Sequence, residues 1–230
     1  MFDATSAFTA PAASPTPEIP AAGPATVAIT LQINGKMRTA QVEARNQYHA
    51  IFDNALCAIV HPSTAATSLV ALDATVELSD ARSAVRQLPL EQFFIAPVRN
   101  VQRENDLRPQ EILSAIRLPK LPSNVRMAHI KQGEKDSFDW SLADVAVVLD
   151  MAPDGACRRA SVVLGAAAPV PHRARAAEAA LAGKRIDETT AAQAARAALE
   201  GATPLSKNAY KIPLFEALVR RTILKAVAPA

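Results

Sequence analysis

The chain has 230 residues, half of them hydrophobic and a fifth charged, which suits a globular protein of one large domain or two small ones. With a net charge of +3, 4% aromatic residues and no uninterrupted apolar stretch of about 20 residues, the sequence argues against nucleic-acid binding and against a membrane span. Only seven residues are glycine and no two of them form G-x-G, which excludes a Walker A loop, a dinucleotide-binding turn and a nucleophile elbow.

The first 45 residues divide into two segments of different composition. Residues 1–25 are mostly Ala, Pro, Ser and Thr and have too few bulky apolar groups to offset the entropy of ordering, so we expect a disordered arm. Residues 26–43 alternate apolar and polar side chains around Asn34-Gly35. This pattern predicts a β-hairpin, because both central residues of such a turn need a positive φ.

The next segment, residues 46–108, predicts short elements separated by turns. Residues 57–60 are apolar and predict a short buried strand, and the turn His61-Pro62-Ser63-Thr64 offers Ser63 or Thr64 as the cap of a helix over 65–72. The remaining elements are a β-hairpin of 74–79 and 82–88, a helical turn with two core aromatics over 89–95, and a polar loop over 99–108.

Residues 110–227 predict four strands followed by three helices. This order indicates an α+β domain in which an antiparallel sheet is covered by helices on one face. The predicted strands are 112–118, 125–132, 142–151 and 156–166, and the predicted helices are 172–182, 188–200 and 211–227.

The sequence offers no complete set of nucleophile, base and orienting group, so no catalytic residue is predicted in this chain. His61 has no carboxylate cluster near it in sequence, and Asp144 and Asp150 share one face of a predicted strand without an assigned role. The two cysteines, Cys57 and Cys157, are far apart and lack C-x-x-C partners, so neither a disulfide framework nor a metal site is predicted.

From Asn46 to about residue 228, six segments in this order resemble the FAD-binding (medium) subunit of the molybdenum hydroxylases. That family includes xanthine dehydrogenase, carbon monoxide dehydrogenase and the periplasmic aldehyde oxidoreductases, and the last branch is the most similar. The segments are NQYHAIFDNALCAIVHPSTAATSLVALDATVEL, PLEQFF, EILSAIRLP, SFDWSLADVAVVLDM, VVLGAAAPVPHRARAAEAALAGK and PLSKNAYKIPLFEALVRR.

The resemblance implies an incomplete FAD-binding α/β half-domain over 46–108 and a C-terminal domain over 109–230 with a four-stranded antiparallel sheet and three helices. It also implies FAD as the cofactor. The implied partners are a large subunit carrying the molybdenum cofactor and a small iron–sulfur subunit, whose two [2Fe–2S] clusters pass electrons to FAD.

Five residues are implied as cofactor-binding by their positions in the family's motifs. Ser63 matches the serine of an H-P-S-D turn near the flavin, whereas Thr64 stands where that motif has its aspartate. Leu113 matches a leucine that packs on the flavin ring, and Lys131 matches a lysine that can stabilise reduced anionic flavin. Trp140 matches an aromatic neighbour of the flavin.

Two family features are missing from the sequence. The A-G-G-T-D and G-G-N loops that hold the FAD pyrophosphate would precede Asn46, and neither is present. Cys57 resembles the last of four ligands to a [4Fe–4S] cluster, but the other three are absent and one thiolate cannot hold such a cluster, so we expect a buried free cysteine. Residues 1–45, the Ala/Pro arm followed by the hairpin, resemble the start of the iron–sulfur subunit, where this hairpin opens a ferredoxin-like fold, but the cysteines of that subunit are absent. The joint at Arg45–Asn46 therefore indicates a deletion between two subunits, whether natural, an assembly error or engineered.

Two hypotheses of function follow. The first is an electron-transfer subunit of an aldehyde- or xanthine-type oxidoreductase whose FAD binding is impaired, so that this chain alone is inactive. The second is a non-catalytic remnant that only docks on the other subunits. Because neither a signal peptide nor a twin-arginine segment is recognised, the cytoplasm is the default location, and the periplasm would follow from assembly with an exported partner.

Overall fold

A computed structural model describes the backbone of strands 26–33 and 36–43 and residues 49–82, 84–135 and 139–229. It divides the chain into two units, Met1–Ala44 and Arg45–Ala230. The expected disordered arm over 1–25 and the Asn34-Gly35 turn lie outside the described residues.

The first unit contains the expected hairpin. Strands β1 (Thr26–Ile33) and β2 (Lys36–Glu43) pair antiparallel, with Thr26 opposite Glu43 and Ile33 opposite Lys36. This antiparallel pairing of neighbouring strands agrees with the hairpin expected for residues 26–43.

The second unit combines strands and helices, which confirms the α+β fold class. Its helices are α1 (Thr64–Ala71), α2 (Leu90–Phe93), α3 (Arg175–Leu181), α4 (Glu188–Ala197) and α5 (Lys211–Val227). Its strands are β3 (Thr75–Asp80), β4 (Val85–Pro89), β5 (Glu111–Arg117), β6 (Val125–Gln132), β7 (Ala143–Met151), β8 (Cys157–Gly165) and β9 (His172–Arg173).

The prediction of a buried strand over 57–60 is wrong. This segment makes a single bridge, between His49 and Ile59, and the side chain of Ile59 is 63% exposed. Only Val60 is buried, because the residues around it follow the surface instead of entering a sheet.

The first sheet of this unit has the order β4-β3-β5. We expected the strand over 112–118, here β5, to be one of the four strands of the C-terminal sheet, and that expectation is wrong: β5 runs antiparallel to β3, with Thr75 opposite Arg117. Residues 118–124 connect β5 to β6 and include two prolines, so this connection is longer than the ~2–5 residues of a hairpin loop. The guanidinium of Arg117 also holds the carboxylate of Glu77 on β3, at 2.5 Å.

The C-terminal sheet has the order β6-β7-β8-β9 and is antiparallel throughout. It has four strands, as expected, but the fourth is β9, formed by His172 and Arg173 at the predicted start of the first helix. That helix, α3, begins at Arg175 instead. Leu164 pairs with His172, and Val163 pairs with Arg173.

The two faces of this sheet are both covered, which corrects the expectation of one covered face. Val145, Val147 and Leu149 on β7 pack with α3, α4 and α5 in the main core. The alternate residue Ala146 packs with Val163 of β8 and with α1 and β3 in a second core. The second face is covered because its residues are also apolar, a pattern of strands buried on both sides.

Helix α5 runs between the predicted boundaries, and the residues at 215, 219, 223 and 226 form its buried stripe, while Ile212 is half-buried. In the described part of the chain, no helix is both long and apolar enough to span a membrane.

A buried lysine joins the start of α5 to the rest of the unit. The side chain of Lys211 is fully buried, and its ammonium donates to the carbonyls of Ala166 at 2.7 Å and His49 at 3.2 Å. Beside it, the amide of Asn208 donates to the carbonyls of His49 and Ala50. Because burial disfavours the charged amine, the pKa of Lys211 falls from 10.5 to about 8.

This shift predicts a rise in stability with pH. Between pH 8 and 10.5 the unfolded chain binds more protons at Lys211 than the folded chain does, so the free energy of unfolding increases by about 3 kcal/mol across that window. We expect Lys211→Met to remove this increase in urea-unfolding titrations followed by circular dichroism. Lys225→Met, on the exposed side of the same helix, is the control and keeps the wild-type slope. An equal slope in wild type and Lys211→Met contradicts the prediction.

Candidate functional site

The turn before α1 is fixed by three hydrogen bonds. The hydroxyl of Ser63 accepts from the backbone N–H of Ala66 at 3.2 Å and caps the helix, which selects Ser63 over Thr64 as the cap. The backbone N–H of Ser63 donates to Nδ1 of His61, and the N–H of His61 donates to the carbonyl of Ala168.

His61 lies against an aromatic ring and is largely shielded from water. Its ring meets that of Phe94 edge to face, with the centroids 4.8 Å apart. Burial lowers the pKa of His61, although Glu104 opposes this shift. The neutral form, with Nδ1 unprotonated, is the one that can accept the hydrogen bond from Ser63.

A buried carboxylate lies behind this turn. Asp144 on β7 is 1% exposed, and its Oδ2 accepts from the hydroxyl of Thr67 on α1 at 3.0 Å. Its Oδ1 lies 2.7 Å from Nε2 of His129 on β6, which donates to it. Asp144 therefore joins α1, β6 and β7 through one charged group.

Gly165 makes room for this cluster. A Cβ at Gly165 would lie 2.2 Å from Oγ1 of Thr67 and 2.5 Å from Oδ2 of Asp144. These distances leave no space for a side chain, so the glycine is required here for close packing and not for its backbone conformation.

A cavity of about 210 Å³ opens in front of the turn. Its wall includes the indole of Trp140, which is 50% exposed, together with His61, Pro62 and Arg103. Cys57 also lines the cavity as a free and partly exposed thiol, so the expectation of a buried cysteine is wrong.

Two further groups lie beside Trp140. The ammonium of Lys131 donates to the carbonyl of Asp139 at 2.5 Å, and Lys131 stands opposite Asp144 in the β6–β7 register. Ser141 is 4% exposed, and its hydroxyl is buried without a hydrogen-bond partner in a narrow recess shared with Trp140 and His61.

The structure thus brings some of the five predicted residues together. Ser63 and Thr64 begin α1 next to the cavity wall, and Lys131 is linked to the residue before Trp140. Leu113 lies elsewhere, on β5 of the three-stranded sheet, with 40% of its side chain exposed. Whether these residues bind a cofactor stays a prediction.

The cluster around Asp144 was not evident from the sequence. His129, Thr67 and Ser141 were not singled out, and Asp144 was noted only for its spacing to Asp150. One signal was available: Asp144 is a lone charge at the start of the buried run Ala143–Leu149, and a buried charge needs partners. Which residues supply those partners depends on β6 and α1 packing on β7, and that is a matter of tertiary structure.

Comparison with known proteins finds two family matches. Residues 54–121 match the FAD binding domain in molybdopterin dehydrogenase, and residues 128–226 match the CO dehydrogenase flavoprotein C-terminal domain.

Individual relatives agree with these matches. The aldehyde oxidoreductase FAD-binding subunit PaoB of Escherichia coli (strain K12) is 30% identical over 193 residues, which cover 83% of this chain and 55% of that subunit. The CO dehydrogenase of Oligotropha carboxidovorans is similar with a TM-score of 0.62 and 27% identity, over 72% of this chain and 56% of that chain. Quinoline 2-oxidoreductase of Pseudomonas putida 86 is similar with a TM-score of 0.59 and 28% identity, over 79% of this chain and 58% of that chain. The chain thus spans little more than half the length of these relatives.

The cluster around Asp144 predicts a position-specific loss of stability. Asp144→Ala leaves the buried hydroxyl of Thr67 and the ring nitrogen of His129 without an acceptor, so we expect a loss of about 1–3 kcal/mol. Asp150→Ala on the same strand removes a pair with the exposed Arg158 and is expected to cost about 0.5 kcal/mol or less. Urea unfolding followed by circular dichroism measures both values. Similar losses in the two variants would show that Asp144 has no special role.

Proposed function

This chain belongs to the FAD-binding medium subunits of the molybdenum hydroxylase family, and on that premise we propose that it is the electron-transfer subunit of an aldehyde- or xanthine-type oxidoreductase. We further propose that it holds FAD weakly. The proposed partners are a large subunit with the molybdenum cofactor and a small iron–sulfur subunit. The proposed location is the cytoplasm, or the periplasm if an exported partner carries the complex.

The cavity beside Trp140 suits the flavin end of FAD. A half-exposed indole offers a flat apolar surface for stacking. Two groups outside the cavity lining lie next to Trp140: the unpaired hydroxyl of Ser141 in the narrow recess, and the ammonium of Lys131 on the carbonyl of Asp139. A ring that extends past Trp140 would meet a hydrogen-bond donor and a cation that favours its reduced anionic form. When bound, FAD supplies the redox chemistry. The residues of this chain bind the cofactor, orient it and set its electrostatic surroundings.

The phosphate end of FAD has no matching loop among the described residues. Gly155, Gly183 and Gly201 have positive φ in turns after β7, α3 and α4, and Gly165 is packed against Asp144. These glycines serve turns and packing, so they do not cradle a pyrophosphate. The cavity of about 210 Å³ is also below the ~300–1,000 Å³ of typical small-molecule sites. This mismatch is the observation that carries the proposal of weak retention.

A series of flavins tests this proposal. Without a pyrophosphate cradle, FAD and riboflavin should bind with dissociation constants within about threefold of each other, because the diphosphate adds little binding energy. Flavin fluorescence anisotropy measures both constants on the full chain. We expect Trp140→Leu to weaken both ligands about tenfold, and Lys225→Met to leave both unchanged. Stoichiometric flavin absorbance near 450 nm after purification would falsify weak retention.

A docking role without flavin is the second candidate. Ile112 and Ile116 on β5 and Met127 on β6 expose 66%, 43% and 52% of their side chains. Strand β5 is an edge of its sheet, and exposed apolar side chains on an edge strand suit contact with another protein. We propose the large molybdenum subunit as the partner for this surface.

Co-expression with a large subunit from the same kind of enzyme tests the docking role. We expect the two chains to co-purify, and Ile116→Asp to reduce the recovered complex at least tenfold because a carboxylate would be buried in the interface. Val85→Asp places the same change on β4 at the opposite edge of the sheet and should leave recovery unchanged. Equal losses in both variants, or no complex with the wild-type chain, would exclude this surface.

A further inference from the structure

A second cavity, of about 350 Å³, lies at the joint between the two family-matched segments. Its floor is the face of the C-terminal sheet at Val148 of β7 and Ser161 of β8, which stand opposite each other in the register. Its roof is the connection of residues 119–122 between β5 and β6. Leu72 and Asp73, at the end of α1, form a side wall.

This cavity exists because α1 is too short to cover the sheet. Eight helical residues extend about 12 Å, whereas the nine residues of β7 extend about 30 Å. Helix α1 covers the part of the sheet near Asp144 and ends at Ala71. Beyond that point, the proline-bounded connection lies over the cavity floor at Val148 and Ser161.

The unsatisfied hydroxyl of Ser161 suggests that the floor of the cavity binds a ligand. It is 2% exposed, and its hydroxyl is buried with no hydrogen-bond partner. An unpaired hydroxyl in an apolar setting costs free energy. A ligand that accepts a hydrogen bond from Ser161 removes this cost.

The charges around the cavity decide which kind of ligand fits. Asp73 is held by Arg159 and by Arg173, the latter at 2.7 Å, and Asp150 is held by Arg158 at 2.8 Å. Burial raises the pKa of Asp73, but these arginines outweigh that effect and keep it below its usual value. Both lining carboxylates are therefore already neutralised.

Lys120, in the roof of the cavity, is a charged lining residue that no opposite charge neutralises in the part of the chain that the structure describes. Among the described residues, no carboxylate pairs with it, and its side chain is exposed at the rim. Leu72, Leu121 and Val148 give the rest of the lining an apolar character. We propose that this cavity binds a small monocarboxylate with an apolar body, recognised by the ammonium of Lys120 and the hydroxyl of Ser161. This site does not depend on flavin binding.

Calorimetric titration of the full chain with benzoate tests the proposal, with benzyl alcohol and benzylamine as the uncharged and cationic analogues. We expect benzoate to bind with a dissociation constant of about 1 mM and benzylamine to bind at least tenfold more weakly. Lys120→Gln should weaken benzoate about tenfold and leave benzyl alcohol unchanged, since only the charge contact is lost. Lys207→Gln, an exposed lysine on another part of the surface, is the matched control.

Ser161→Ala supplies an independent measurement. It should weaken benzoate and benzyl alcohol alike, by about fivefold, because both lose a hydrogen-bond donor. Circular dichroism checks that Ser161→Ala folds. If this variant does not fold, the comparison of Lys120→Gln with Lys207→Gln tests the proposal by itself. No saturable binding of benzoate up to about 50 mM overturns the proposal. So does equal binding of benzoate and benzylamine, or an equal effect of Lys120→Gln and Lys207→Gln.

Discussion

The burial of β7 on both faces is the constraint on which the rest of the second unit depends. One face of the strand supplies Val145, Val147 and Leu149 to the core under α3, α4 and α5, and the other supplies Ala146 to the core under α1. The fully buried part of this strand carries one charged residue, Asp144, and its carboxylate is tolerated because Thr67 and His129 satisfy both of its oxygens. Gly165 completes the arrangement by leaving room for those partners. The same contacts place the start of α1, with Ser63 and His61, next to the cavity that Trp140 lines.

Local features of the sequence predicted local features of the fold. A cap at Ser63 or Thr64 was expected for α1, and Ser63 supplies it, while α5 occupies its predicted range because its apolar residues repeat at helical spacing. The hairpin of β3 and β4 and the turn between β7 and β8 also follow from short-range signals. In each of these cases the residues that specify the structure are within a few positions of one another.

Pairing between distant segments was not predictable in the same way. Strand β5 pairs with β3 and not with its next neighbour β6, and two residues from the expected start of a helix became β9. The candidate site shows the same difference between local and distant contacts. The turn at His61 could be predicted from the sequence, whereas the hydrogen bond that joins the following helix to Asp144 could not. The family resemblance supplied what periodicity could not, namely FAD as the cofactor, and the scarcity of glycine led to the proposal that the phosphate end of FAD is held weakly.

Trp140 is the only tryptophan in the chain, and it stands half-exposed at the mouth of the candidate flavin cavity. All indole emission from this protein therefore comes from one place. Oxidised flavins absorb at wavelengths where indoles emit, so resonance energy transfer to an occupant of the cavity would quench that emission without a competing background. The chain thus carries a built-in optical reporter of its own site, and no label has to be attached to watch the cavity fill or empty in real time.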